Sequence, residues 1–284
     1  MEREQFLKNI LVPIDGSPSS ISAEETAGII AKKTGAAVTV FHVMLELSLG
    51  HQIPENVQED LVKSIEQQAD RIVSNARALL SEENVNAETE TIAATDVAES
   101  ILQFSKQNCD LIVMGAHGEN EEDPFALGSV TKRVMVHTIC PTLIVKKPTT
   151  LSNLLVCIDG SDNAIKALQY AVNLANKLDS KIVVLNVQEH LLRQASSKAA
   201  EELGERVLSK VLATAQKERL RIEKKLEFGV PSHKIVEFAE KGKYDLVVLG
   251  SRGLGTVKRF LLGSVSDDVV HKAKCSVLVV PPKK

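Results

Sequence analysis

Two glycine-rich segments have the spacing of phosphate cradles. Gly250-Ser251-Arg252-Gly253 is followed, after nine residues, by Gly263-Ser264. Glycine tolerates positive φ and lets backbone N–H groups approach a ligand closely. Ser264 stands where a helix would begin, and free N–H groups with the helix dipole favour phosphate there. Arg252, Lys258 and Arg259 in this stretch could neutralise phosphate charge. Gly115-Ala116-His117-Gly118 keeps the same spacing to Gly128-Ser129, but Glu119, Glu121, Glu122 and Asp123 fill its interior. Like charges ~4–8 Å apart repel by roughly 2–4 kcal/mol at an effective dielectric constant near 20. The first loop therefore disfavours a triphosphate unless its acids face water. A divalent cation such as Mg²⁺, which suits oxygen ligands, could also bridge them to phosphate.

Asp15 and Asp159 are the second pair. Each ends an apolar run and is followed by Gly-Ser. A carboxylate there can accept from a ribose hydroxyl or an adenine amine. Asp-Gly is also a common turn. Its occurrence beside a glycine loop in both halves favours the binding role.

These segments belong to an internal repeat. Lys8-Asn9-Ile10-Leu11-Val12-Pro13-Ile14-Asp15-Gly16-Ser17 returns at 152–161, Asp110–Gly115 at 245–250, and Cys140–Val145 at 275–280. The joint falls at the polar stretch Lys146–Thr150, which sets two domains at 1–147 and 151–284. Each copy alternates strand and helix. In the first, strands are expected at 10–14, 37–43, 87–92, 110–114 and 142–146. Helices are expected near 19–34, 57–80, 97–107 and 129–138. Ser19 or Ser20 should cap the first helix. Val57, Leu61, Ile65, Ile72, Ala76 and Leu79 should share the buried face of the second. The second copy predicts strands 154–158, 181–187, 222–227, 245–249 and 277–280, with helices 163–178, 196–217, 232–241 and 264–273. Strand–helix alternation implies an open, five-stranded parallel sheet with helices on both faces in each copy. Ligands of such sheets bind beyond the carboxyl ends of the strands, where both pairs of segments fall.

Composition limits the alternatives. The chain has 284 residues, 44% apolar and 3% aromatic, with no Trp, so the cores must be aliphatic. Residues 1–150 hold 12 Lys/Arg against 22 Asp/Glu, and the remainder 22 against 15, so the halves are oppositely charged. The N-terminal residues lack the pattern of a signal peptide, and no apolar run reaches membrane-span length. Cys109, Cys140, Cys157 and Cys275 have no metal-type spacing and are expected as reduced thiols in the cytoplasm, with regulatory oxidation as the alternative reading. The seven histidines show no metal spacing either, and only His117 lies in a glycine loop. The basic half lacks interleaved aromatics, which argues against nucleic acid.

With its paired Val-Pro-Ile-Asp-Gly-Ser-type segments and its two Gly-x2-Gly-x9-Gly-Ser patterns, the chain resembles the universal stress protein family in tandem form. The resemblance spans essentially the whole chain. It implies an α/β, Rossmann-like fold of the adenine nucleotide alpha-hydrolase type, and ATP as ligand. It also implies that Asp15 and Asp159 contact adenosine, and that Val43 and Val187 line the adenine slot. Gly250, Gly253, Gly263, Ser264 and Val265 would hold ribose and phosphates, as would Gly115, Gly118, Gly128, Ser129 and Val130 in the first copy. The two halves would pair internally through their last strands. The expected role is a stress-response sensor or regulator with an unidentified protein partner and the stronger ATP site in the C-terminal half. Slow ATP hydrolysis or adenylyl transfer is the competing reading. It lacks a Gly-x4-Gly-Lys-Ser/Thr loop and the nucleophile motifs Ser-x-x-Lys and Gly-x-Ser-x-Gly. An interaction scaffold with a vestigial site is the third.

Overall fold

Runs of Val, Ile and Leu bounded by Asp, Gly and Asn form strands buried on both faces. In the computed structural model, which describes residues 5–46, 54–118, 127–189, 194–215, 222–254 and 262–282, these strands make one continuous sheet. The first half contributes β1 (Asn9–Ile14), α1 (Pro18–Thr34), β2 (Ala37–Leu45), α2 (Glu55–Glu82), β3 (Ala87–Ala94), α3 (Val97–Asn108), β4 (Leu111–Gly115), α4 (Ser129–His137) and β5 (Thr142–Val145). The second contributes β6 (Asn153–Cys157), α5 (Asp162–Leu178), β7 (Lys181–Gln188), α6 (Ser197–Ala215), β8 (Ile222–Phe228), α7 (Pro231–Lys241), β9 (Leu246–Gly250), α8 (Ser264–Lys272) and β10 (Ser276–Val280).

The strand order is β3-β2-β1-β4-β5-β10-β9-β6-β7-β8. Pairing is parallel within each half. It is antiparallel where β5 meets β10, with Leu143 opposite Leu278. The halves are thus joined through their last strands, and each closes the edge the other would leave open. Lys146 reinforces the seam. Its Nζ donates to the carbonyls of Ala273 at 2.7 Å and His271 at 3.3 Å, beyond and within the last turn of α8. The outer strands β3 and β8 alternate or expose charged residues such as Glu88, Glu90, Lys224 and Lys225, which keeps them from pairing with other chains.

One apolar cluster runs across both halves, from Val12, Ile30 and Leu80 to Leu154, Leu168 and Val207. It lies beneath α1, α2, α5 and α6. Two more clusters lie on the other face, under α3 and α4 and under α7 and α8. Each fully buried aliphatic side chain contributes about 1.5–3 kcal/mol, so the absence of Trp is no handicap. Asp110 Oδ2 accepts from the N–H groups of Lys8 and Asn9, and Asp245 Oδ2 from those of Ser152 and Asn153. The Asp that opens each repeated block therefore anchors the start of the neighbouring strand.

Two local expectations are corrected. The N-cap of α1 is Ser17, whose side chain accepts from Ser20 N–H, with Pro18 in the first turn. Proline suits that position because its missing N–H would have no helical partner. In α2 Ala69, Ala76 and Leu80 are buried and Ile72 and Leu79 pack partly buried against the core, whereas Val57 and Leu61 are exposed at 47% and 36%. The first turns of α2 are exposed, so their apolar residues meet no core.

Candidate functional site

The turn after β1 is built by three residues. Gly16 has φ +85°, a conformation other residues enter at a cost. Asp15 Oδ1 accepts from Ser17 N–H at 3.0 Å, which fixes the carboxylate at the strand end. The second half repeats this with Gly160 at φ +89° and Asp159 Oδ1 accepting from Ser161 N–H at 2.9 Å. The turn and binding readings of these aspartates are therefore compatible, because only one carboxylate oxygen serves the turn.

The loop glycines have a different reason. Among the described residues the glycines with positive φ are Gly16, Gly35, Gly160 and Gly229, so the loop glycines do not rely on that freedom. They permit close approach. A Cβ on Gly115 would sit 2.6 Å from Ser19 Oγ, and one on Gly250 2.7 Å from Asn163 Nδ2. A Cβ on Gly118 would sit 2.7 Å from Asp15 Oδ2, and one on Gly253 would overlap Asp159 Oδ2. The last glycine of each motif returns the chain to its start: Gly128 N–H donates to Ala116 O, and Gly263 N–H to Ser251 O, both at 2.8 Å. Thr131 and Ser266 lock the return by donating to Gly115 O and Gly250 O.

In the first half these parts surround a cavity of about 490 Å³. Asp15, Val43, Gly115, Gly118, Gly128, Ser129 and Val130 all line it. Phe41, Met44, Ile65, Ala69 and Ile101 add apolar wall, and Gln68, His42 and His117 add polar atoms. Gly128 caps α4 with no side-chain hydrogen bond, and the first turn holds no acid, so its N–H groups suit an anion. His42 Nδ1 lies 2.9 Å from Ile14 O and donates to that carbonyl, which fixes the ring at the strand end. His117 Nδ1 is buried without a hydrogen-bond partner among the described residues.

The second half repeats the turn after its first strand and the return of the glycine loop, with a different local arrangement. Leu254 N–H donates to Asp159 Oδ2 at 3.0 Å, and Asn163 Nδ2 to Arg252 O at 3.1 Å. The start of the loop is thereby drawn onto the end of β6, with Gly253 lying over the carboxylate. Gly250 and Gly263 are buried, Arg252 is half-buried and Ser264 is exposed. Val187 and Val265 pack against one apolar cluster. The first turn of α8 carries Asp267, which weakens the positive end of that helix. Lys258 and Arg259, and in the first half Glu119, Glu121, Glu122 and Asp123, lie outside the described residues.

Several lining residues escaped the sequence reading. α2 supplies Ile65, Gln68, Ala69 and Ile72, and periodicity alone does not tell where a helix crosses the strand ends. Position by position, His42 corresponds to Asn186, which makes the same bond to Ile158 O at 2.7 Å. Comparing the copies would have singled it out. The same comparison sets Glu24 against Leu168. Glu24 is 3% exposed on α1, and burial raises its carboxyl to about 7, with a bond from Ser20 opposing and the charges of Asp15 and Glu25 adding to the rise.

The model of the universal stress protein family matches residues 7–146 and again 150–281. A universal stress protein of Methanocaldococcus jannaschii is 37% identical over 141 residues, 46% of this chain and 83% of its own length. One from Bacillus subtilis is 34% identical over 145 residues, 45% of this chain and 98% of its own. Each of these relatives therefore matches about half of the chain. A crystal structure of a universal stress protein from Archaeoglobus fulgidus covers 96% of this chain and 98% of its own, with a TM-score of 0.73 at 23% identity, and so shares the fold.

Proposed function

The chain belongs to the universal stress protein family, and on that premise we propose that it binds adenine nucleotides, ATP foremost, as a sensor or regulator of the stress response rather than as a catalyst. One observation carries the reading: a single cavity collects all seven first-half residues whose types suit adenosine and phosphate. Its volume of about 490 Å³ falls within the 300–1,000 Å³ usual for small-molecule sites. Val43, Phe41 and Met44 offer an apolar slot for a base. Asp15 offers an acceptor for ribose, and the first turn of α4 offers donors for phosphate. The units 1–147 and 151–284 would each hold one ligand.

The two sites would differ in the charge they accept. Arg252, Lys258 and Arg259 make the C-terminal half the stronger site for ATP. The acids at 119–123 favour a ligand with fewer phosphates in the first half, or ATP held with Mg²⁺. Among the described residues no group of three or more His, Cys, Asp or Glu could hold a metal ion. No described helix is long and apolar enough to cross a membrane. A cytoplasmic setting, where ATP is abundant, fits the role.

The test is mass spectrometry of ligand released from purified protein, with stoichiometry per chain. Calorimetry with ATP, AMP and adenosine, with and without Mg²⁺, would then rank the sites. Retention without turnover supports the reading. Rates near ~10 s⁻¹, typical of enzymes, would replace it with the hydrolase, and failure of all adenine ligands to bind would leave the scaffold.

A further inference from the structure

Away from the cavity, at the amino ends of β4 and β5, two thiols face each other. Cys109 Sγ and Cys140 Sγ lie 3.2 Å apart, with Cys140 Sγ also donating to Cys109 O at 3.3 Å. Cys109 is half-buried and Cys140 buried. A disulfide needs about 2.05 Å between sulfurs, so closing the gap requires a movement of little more than an ångström. Cys109 follows the last turn of α3 and Cys140 the turn after α4, so neither sulfur sits within a helix or strand.

We propose that Cys109 and Cys140 form a reversible dithiol–disulfide site that responds to hydroperoxides. Cys109, the more accessible sulfur, attacks one peroxide oxygen. An S–O bond forms, the O–O bond breaks, and the departing oxygen takes the Cys109 proton to leave as an alcohol, or as water from hydrogen peroxide. The sulfur loses two electrons and the peroxide gains them. Cys140 Sγ then attacks the sulfenic sulfur of Cys109. The S–S bond forms, the S–O bond breaks, and hydroxide leaves as water with the Cys140 proton. Until that step Cys140 stays protonated: its hydrogen bond with Cys109 and its burial both push its thiol well above the usual range. A thiol or dithiol reductant reverses the bond by exchange.

The second half supplies a control within the same molecule. Cys275 occupies the place of Cys140, but Tyr244 stands where Cys109 would be. Cys157 and Cys275 are both buried, and burial pushes both thiols up. Neither should respond.

The experiment treats the full chain with hydrogen peroxide, removes the peroxide, unfolds the protein in denaturant with N-ethylmaleimide to block the remaining thiols, and maps the peptides by mass. The expected result is a protein with two alkylated thiols, Cys157 and Cys275, and one peptide pair joined through Cys109 and Cys140; dithiothreitol restores all four. In Cys140→Ser the reaction should stop at a Cys109 sulfenic acid, trapped by dimedone. Cys157→Ser should still form the bond. Four alkylatable thiols after treatment, a cross-link involving Cys275, or a sulfenic acid on Cys140 in place of Cys109 would each overturn the proposal.

Discussion

The backbone N–H of Leu254 donates to Asp159 Oδ2 across 3.0 Å. This bond ties the start of the second glycine loop to the end of β6, while Oδ1 of the same carboxylate holds Ser161. Asp159→Asn keeps an acceptor for Ser161 and turns an amide donor toward Leu254. The latch should then open. Hydrogen exchange at Leu254 should quicken by about tenfold or more, since protection reports the free energy of local opening. An unchanged rate would mean that something else holds the loop.

Gly118→Val and Gly253→Val should each silence their own site. Both place a side chain against a carboxylate, Asp15 or Asp159. We expect ATP affinity to fall at least tenfold in the affected half, about 1.4 kcal/mol, with the circular dichroism of the folded protein retained. Calorimetry reads the two halves separately, because each variant leaves the other intact. A folded Gly253→Val protein that binds ATP as before would remove the second loop from the site.

Charge within the first loop should govern its ligand. Changing Glu119, Glu121 and Glu122 to Gln in a Gly253→Val background should raise ATP affinity without Mg²⁺, most at low salt, where screening is weakest. Equal affinity with and without the acids would show that they face water.

Glu24 should make stability depend on pH. Its folded carboxyl sits at about 7 against an ordinary 4.5, so the folded state holds the proton more tightly than the unfolded state. The stabilisation is complete below about 4.5 and is lost as pH rises through 7, a change of roughly 3 kcal/mol. Glu24→Gln keeps a polar partner for Ser20 and cannot ionise. Denaturant unfolding between pH 5 and 8 should show a slope in the native protein and a flatter line in the variant. Equal slopes would assign the dependence to other groups.

A fragment of residues 151–284 should self-associate. Alone it exposes β10, whose Val277, Leu278 and Val279 normally pair with β5. Sedimentation should show a dimer, and a monomer at high concentration would count against β10 as a general pairing edge.

Much of this was legible beforehand because backbone periodicity and repetition are local signals. The strands follow from Val, Ile and Leu runs, and the repeat sets an Asp-Gly-Ser turn and a glycine loop at the strand ends of both halves. What stayed hidden depends on where elements cross. Val57 and Leu61 fit the apolar period of α2 but are exposed, while Gln68 reaches the cavity although nothing in its neighbours announces it. The cap at Ser17 was readable from Pro18, which stands in the first turn of α1. Nothing in the sequence around Glu24 marks it as buried, because burial on nearly every side of α1 is a property of its place beside α5 and the sheet.

The antiparallel junction of β5 and β10 has a consequence for how the protein can be read by others. Because the strands of the two halves run in opposite senses, their carboxyl ends emerge at opposite rims of the sheet. β1 and β6 are five strand positions apart in the order, roughly 24 Å at the usual spacing. One small molecule cannot bridge the two strand-end turns, and a compact partner docking at one rim meets only one of them. The chain therefore has two separate outlooks, and any conversation between them must pass through the shared sheet.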